Sequence, residues 1–220
     1  MVHAQRKLVE CSNNITQTME RKPQYKVCRR LGEAIYSKCQ SPKFSANQFP
    51  GKGRVQKHRS NVTEYGTQLT EKQKIRLSYG LTEGGLKSIM MKIKGEKGSP
   101  ATLLMQTLER RLDNVVFRSG LAANRVHARQ MVSHGHIIVN GRRTTIPSRL
   151  VGIDDEISVR TQDRTKDSMK KLPVFGKFTT AKWLAREGDG WSVVMKAYPS
   201  KDDADTTLAW GAVTEFYSRS

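Results

Sequence analysis

Arg125 and Arg129 stand four residues apart and Arg142 and Arg143 stand side by side, in a stretch that also carries Arg111, Arg118, His134 and His136. Such side chains make and break no bonds by themselves. A guanidinium presents a planar fork of donors that matches a phosphate, and a spacing of four puts two of them on one helix face. The chemistry this points to is charge neutralisation along a phosphate backbone. His134 and His136 flank Gly135, but two imidazoles with no carboxylate or thiol neighbour make a poor metal site. Stacking, hydrogen bonding or capping a helix end suits them better. Asp154-Asp155 reads as the polar turn before a strand, since a metal needs more ligands than this pair. Asp113, in Arg111-Leu112-Asp113, reads as a helix-stabilising or arginine-pairing residue. No Ser/His/Asp order, nucleotide-binding glycine loop or paired acid stands out, so the chain is expected to be non-catalytic.

The elements that must position those arginines can be read from residue spacing. Leu112, Val115, Val116 and Phe117 recur near helical spacing and Gly120 supplies a left-handed stop, which predicts a short helix. Asn124 caps a second helix, with Val126, Met131 and Val132 as its apolar stripe and Gly135 as its end. Residues 137–139 then run into Asn140-Gly141, the dipeptide that best tolerates the two positive φ values of a tight hairpin turn. The two arginines at 142 and 143 follow that turn at once. A helix with two arginines beside such a hairpin makes a compact cationic surface.

The whole chain carries the same sign. Its 220 residues hold 39 Lys plus Arg against 20 Asp plus Glu, a net charge of +19. The net charge is +13 over residues 1–108, +4 over 109–165 and +2 over 166–220, so the basic excess sits at the front and calls for a polyanion partner. With 36% hydrophobic residues, one or two modest cores are expected. No run approaches the ~20 apolar residues that span a bilayer, and the first thirty residues lack the apolar core of a signal peptide. No membrane partner is therefore expected. Cys11, Cys28 and Cys39 form an odd count, which argues against a disulfide framework. With His3 or His58 as a fourth ligand they could hold zinc, but the closely spaced pair from which zinc sites begin is absent. Free thiols and no cofactor are expected.

Before the arginine-rich stretch, residues 1–60 carry 13 basic and 3 acidic side chains and little periodicity, which predicts a largely flexible segment with a short helix over 27–34. Residues 50–53 (PGKG) read as a turn. Over 65–80, Thr70 and Gln73 have capping-box spacing, Gly80 ends the helix, and Lys72 and Arg76 share a face. Leu86, Ile89, Met90 and Ile93 mark another helix, and Ser99-Pro100 opens a third with Leu103, Leu104 and Leu108 inward. Met90, Met91 and Met105 are expected to fill core. Residues 166–178 read as a linker. Gly188-Asp189-Gly190 is a turn before the strand-like run 191–195.

RLDNVV-FR-G, then AR-VSHGHI-VNG, then IPS and ISVR, resembles the RNA-binding domain named after small-subunit ribosomal protein S-four, close to its bacterial version. A match over about fifty residues is specific where a three-residue motif is not. The string YG-QL-EKQK-R--YG at 65–80, and Trp183-Leu184 with TEFYSR at 214–219, resemble the same family's helical and C-terminal segments. The chain departs from the family pattern at Lys52, where a His is usual, and over 197–202, usually richer in Arg. Some members carry a cysteine-rich zinc site near the N-terminus, and its usual pairs are absent here.

The resemblance implies an α+β, mainly helical fold. A basic extension over 1–49 precedes a discontinuous helical domain, 50–108 completed by 173–220. The RNA-binding module of helices and a small antiparallel sheet, 109–172, is inserted into it. It implies a structural protein of the small ribosomal subunit that binds rRNA. The candidate contacts are Tyr65, Lys72, Gln73, Arg76, Arg111, Arg118, Arg125, Arg129, His134, His136, Arg142 and Arg143. It further implies early binding to the 5′ domain of the rRNA, small-subunit protein S-five as a neighbour, and a place where mRNA enters, with an effect on decoding accuracy. The expected location is the cytoplasmic ribosome, or else a mitochondrial or plastid one. Pseudouridine synthases and some tRNA synthetases carry the same module. A synthase would need a separate catalytic domain, and the RLD string here lies in the module's own first helix without the expected glycine before it. The alternative kept open is a non-ribosomal RNA-binding regulator or RNA-modification factor that borrowed the module.

Overall fold

The computed structural model describes residues 24–40, 63–163, 180–188, 190–200, 203 and 208–219. The turn at 50–53, the linker at 166–178, and Cys11, His3 and His58 lie outside the described residues. The chain falls into two compact units, Met1–Gly80 and Leu81–Ser220.

In the first unit, α1 spans Gln24–Leu31, with Val27, Cys28 and Leu31 buried and Arg29 and Arg30 exposed. It starts ahead of the expected position, and Gly32 at φ +77 ends it. A short 3-10 turn, Ser37–Gln40, brings Cys39 against Cys28, with Ile35 and Tyr36 packed around the pair. Helix α2 spans Glu64–Ser78 and is capped by Thr63, whose Oγ1 accepts from the Gly66 amide at 3.2 Å. The expected cap, Thr70, lies inside this helix and donates to the Gly66 carbonyl at 2.8 Å. The cap needs an extended backbone, and Thr63 has it at φ −68 and ψ 152. Lys74 ties the unit together by reaching both Glu33 at 2.8 Å and Glu71 at 2.7 Å.

The second unit opens with α3, Glu83–Ile93, capped by Thr82, and α4, Pro100–Glu109, which starts on proline as expected. Leu86, Met90 and Ile93 are buried, as are Leu104, Met105 and Leu108. Met91, expected in the core, is 69% exposed, because it lies one residue past Met90 and so faces away. Next come α5, Leu112–Arg118, and α6, Arg125–Ser133. Gly120 and Gly135 end them at φ +80 and +73. Strand β1, Ile137–Val139, turns through Asn140 and Gly141, both at positive φ, into β2, Arg142–Arg143. Strand β3 is Glu156–Val159.

The sheet does not stop there. Strands β4, Leu184–Glu187, and β5, Ser192–Met195, join it in the order β2-β1-β3-β5-β4, every neighbour antiparallel. Ile157 opposes both Val139 on β1 and Val193 on β5. The sequence reading sets the module's end at residue 172, whereas the sheet continues past it. Val193, Val194 and Met195 are all buried, so both faces of β5 are covered, and its backbone pairs with β3 on one edge and β4 on the other. The tail's final helix, α7 at Trp210–Ser218, lies instead against α3 and α4, where Tyr217 donates to Glu83 at 3.3 Å.

Helices α5 and α6 cover the sheet, with Leu112, Val115, Val116, Ala128, Met131 and Val132 packed against Ile137, Val139, Ile157, Val159 and Trp183. Each buried aliphatic side chain here contributes about 1.5–3 kcal/mol, so this shared core fixes where the two helices lie. Val126, expected in that stripe, is 58% exposed, and Ala128 takes the inward position.

Candidate nucleic-acid interface

Three backbone hydrogen bonds anchor the start of α5. The amides of Leu112 and Asp113 donate to the carbonyls of Arg149 and Pro147 at 2.8 and 3.1 Å, and the Val151 amide donates to the Arg110 carbonyl at 2.9 Å. Two acids and an amide at this joint, Glu109, Asp113 and Asn114, are buried. A buried carboxylate is tolerated only where charged or polar donors surround it, and the arginines supply them.

Asp113 Oδ1 and Oδ2 accept from Arg111 Nε and Nη2 at 3.2 and 3.0 Å. Its Oδ2 also accepts from Arg129 Nε and Nη2 at 3.1 and 2.7 Å, and its Oδ1 from the Asn114 amide at 2.9 Å. A carboxylate in the first turn of α5 also meets the positive end of that helix. Glu109, fully buried, accepts from Arg118 Nε and Nη2 at 3.1 and 2.9 Å and from Asn114 Nδ2 at 2.6 Å. Asn114 Oδ1 in turn accepts from Arg125 Nε at 2.8 Å, while the Arg125 guanidinium lies 4.9 Å from the centre of the Phe117 ring. One connected network therefore holds Arg111, Arg118, Arg125 and Arg129. Asp113 is the arginine-pairing residue its sequence context suggests. Arg111 is itself buried and acts as internal counter-charge, whereas Arg118, Arg125 and Arg129 are partly exposed.

The hairpin is built differently. Arg142 is exposed. Arg143 donates to the carbonyls of His134 and Gly135 at 3.0 and 3.2 Å, capping the negative end of α6 with a cation. A Cβ on Gly135 would collide with that guanidinium. The rings of His134 and His136 stack at 6.0 Å, and His136 Nδ1 lies 2.9 Å from Asp163 Oδ2. Asp163 is buried and also accepts from Arg160 at 2.8 Å. His127 is held below its ordinary pKa by burial and by the nearby His136.

The remaining candidates stand on α2, in the first unit. Tyr65 is 60% exposed, Lys72 is buried, and Arg76 Nη2 donates to Gln73 Oε1 at 2.6 Å. In the same unit Cys28 and Cys39 are buried free thiols, and burial plus a hydrogen bond to Cys28 pushes Cys39 up to about 12. Among the described residues no group of three or more His, Cys, Asp and Glu is placed to hold a metal ion, and no helix is long and apolar enough to cross a membrane. Sequence reasoning missed Glu109, Asn114 and Asp163 as anchors. The one available signal was an acid sitting beside arginines in a basic stretch.

Known proteins bear on this arrangement directly. The model of the ribosomal protein S4/S9 N-terminal domain matches residues 20–109 and that of the S4 domain matches residues 110–157. The chain is 39% identical over 201 residues to small ribosomal subunit protein uS4A of Symbiobacterium thermophilum, covering 90% of this chain and 97% of the relative. It is 41% identical over 202 residues to small ribosomal subunit protein uS4 of Roseiflexus sp., covering 90% and 98%. For the uS4 protein of Herpetosiphon aurantiacus the identity is 40% over 176 residues, covering 79% and 83%. The chain therefore belongs to the small ribosomal subunit protein uS4 family, and is a structural, non-enzymatic component of the ribosome.

Proposed function

We propose that this chain is a primary rRNA-binding protein of the small subunit, which grips rRNA through the arginine network of α5 and α6 together with the hairpin of β1 and β2. The observation that carries this reading is the network itself. Arg118, Arg125 and Arg129 are each held in place by a buried partner, within one small folded unit. Fixed cations suit rRNA, whose helices are recognised by shape and by phosphate contacts more than by base edges. In this reading Arg142, Arg143, His134 and His136 extend the contact, while Tyr65, Gln73 and Arg76 form a second group on α2, with the buried Lys72 beneath them.

The finer assignments belong to the same proposal. The chain joins the 5′ domain of the rRNA early and helps to nucleate the body of the subunit. It neighbours small-subunit protein S-five and lies where mRNA enters, with an influence on decoding accuracy, in a cytoplasmic ribosome. Helices α3, α4 and the returning α7 serve as the platform from which the module emerges. No cofactor is assigned.

Two measurements test the proposal. The protein should remain stoichiometric with small subunits through a high-salt wash, and loss into the supernatant would mark it as a free factor. Changing Arg125 and Arg129 together to Ala should weaken binding to a 5′-domain rRNA transcript. It should also flatten the slope of log affinity against log salt by about 2, one for each phosphate contact removed. An unchanged slope removes those two residues from the interface.

A further inference from the structure

Two buried acids lie under a surface read as binding a polyanion, and Coulomb's law alone says that they weaken it. Glu109 and Asp113 cancel two of the four positive charges on Arg111, Arg118, Arg125 and Arg129. Their burial also costs desolvation. What they supply in return is geometry. Glu109 takes Arg118 side-on with both oxygens against Nε and Nη2, which sets the plane of that guanidinium, and Asp113 Oδ2 accepts from both Nε and Nη2 of Arg129, which holds that edge of the guanidinium toward a fixed oxygen.

Asp113 is the centre of this arrangement. Both of its oxygens are engaged, by Arg111 from the preceding residues, by the Asn114 amide and by Arg129 from α6, sixteen residues along the chain. The carboxylate therefore cannot swing, and the guanidinium of Arg129 is oriented by a group that is itself immobile. An arginine on an open helix face samples many rotamers and must be ordered when RNA arrives, at a cost to affinity. Here the ordering is done by folding.

We infer that Asp113 is a positioning residue for RNA recognition: by fixing Arg129 in advance, it lets the module favour the shape of its rRNA site over other RNA. This rests on the rRNA-binding reading above. Glu109, through Arg118, and Asn114, through Arg125, extend the same role.

Charge and position make opposite demands on one variant. Asp113→Asn keeps the shape of the side chain and raises the net charge by one, so a purely electrostatic surface would bind every RNA more tightly. A positioned surface would bind its own site less well. The full-length chain, Asp113→Asn, Arg129→Ala, Arg129→Lys and the double variant Asp113→Asn/Arg129→Ala are titrated at one salt concentration. One probe is a transcript of the 5′ domain of small-subunit rRNA and the other an unrelated RNA duplex of equal length, with melting temperatures recorded for each protein.

Asp113→Asn should lose about tenfold on the rRNA transcript and hold or gain on the unrelated duplex. The double variant should lose no more than Arg129→Ala alone, because Asp113 acts through Arg129. Tighter binding to both RNAs, equal losses on both, or losses that multiply in the double variant would each overturn the role. If Asp113→Asn does not fold, Arg129→Lys decides. It keeps the charge without the fork, so it should lose on rRNA alone, and wild-type behaviour there refutes positioning. A native chain with no preference for rRNA would instead defeat the rRNA-binding reading itself.

Discussion

The arginines before the sheet and the arginines on its hairpin carry the same charge and are held in opposite ways. Arg118 and Arg129 lean on carboxylates from other elements, Glu109 at the end of α4 and Asp113 at the start of α5. Arg143 leans on backbone carbonyls at the end of α6, and Arg142 is simply exposed after the turn. The first arrangement makes positive charge a part of the core's integrity, so that removing it unsettles the fold. The second adds charge to a turn that stands on its own backbone. Affinity and stability should therefore be coupled in one region and separable in the other.

The sharpest way to break that contrast is at Glu109. Replacing it by Ala leaves Arg118 without its buried carboxylate, and chemical denaturation should show a loss of about 3–5 kcal/mol. A change of a few tenths would mean that the network is not structural. At Gly135, Ala must adopt φ +73 and collide with the Arg143 guanidinium. A loss of about 2 kcal/mol is expected in the same assay, with Arg143 displaced from its carbonyls.

The turn should be less sensitive. Asn140, at φ +50, accepts from the Glu156 amide at 2.8 Å and donates to Asp155 at 2.6 Å. Asn140→Ala should cost about 1–2 kcal/mol by thermal melting. Arg142→Ala should then separate the two properties. Stability should stay within about 0.5 kcal/mol, while the salt slope for rRNA binding falls by about 1.

The smallest effect concerns His127, whose folded pKa lies below the ordinary 6.5 because of burial and His136. Above 6.5 the imidazole is neutral in both states. As pH falls through that value the unfolded chain takes the proton first, so stability drops. The loss levels off once pH passes below the folded pKa. His127→Gln should remove this slope from a pH series of melting temperatures, and an unaltered slope would assign it to other groups.

Local chemistry made much of the module readable in advance. Gly120 and Gly135 stop their helices because only a residue without a Cβ takes positive φ cheaply. Asn124 caps α6 through a bond three residues long, and Asn140-Gly141 closes the hairpin within two residues. The excess of basic charge, too, needs no fold to be seen. Misreadings arose where one local pattern competed with another. Thr70 has the spacing of a cap but lies within a helix already begun at Thr63, and Val126 is apolar yet lies off the face that meets the sheet.

Tertiary structure decided which buried acid or amide holds which arginine. The pairs Glu109 with Arg118, Asn114 with Arg125 and Asp113 with Arg129 are separated by 9, 11 and 16 residues. Their meeting depends on how α5 and α6 pack on a shared core. It also decided that β4 and β5 extend the sheet, since an apolar run shows that a strand must be covered without showing by what. Helix periods and turns are governed by neighbours within about four residues, so sequence alone determined the elements and the sign of the surface. The placement of its charges came from packing, where side chains far apart in the chain share one buried site.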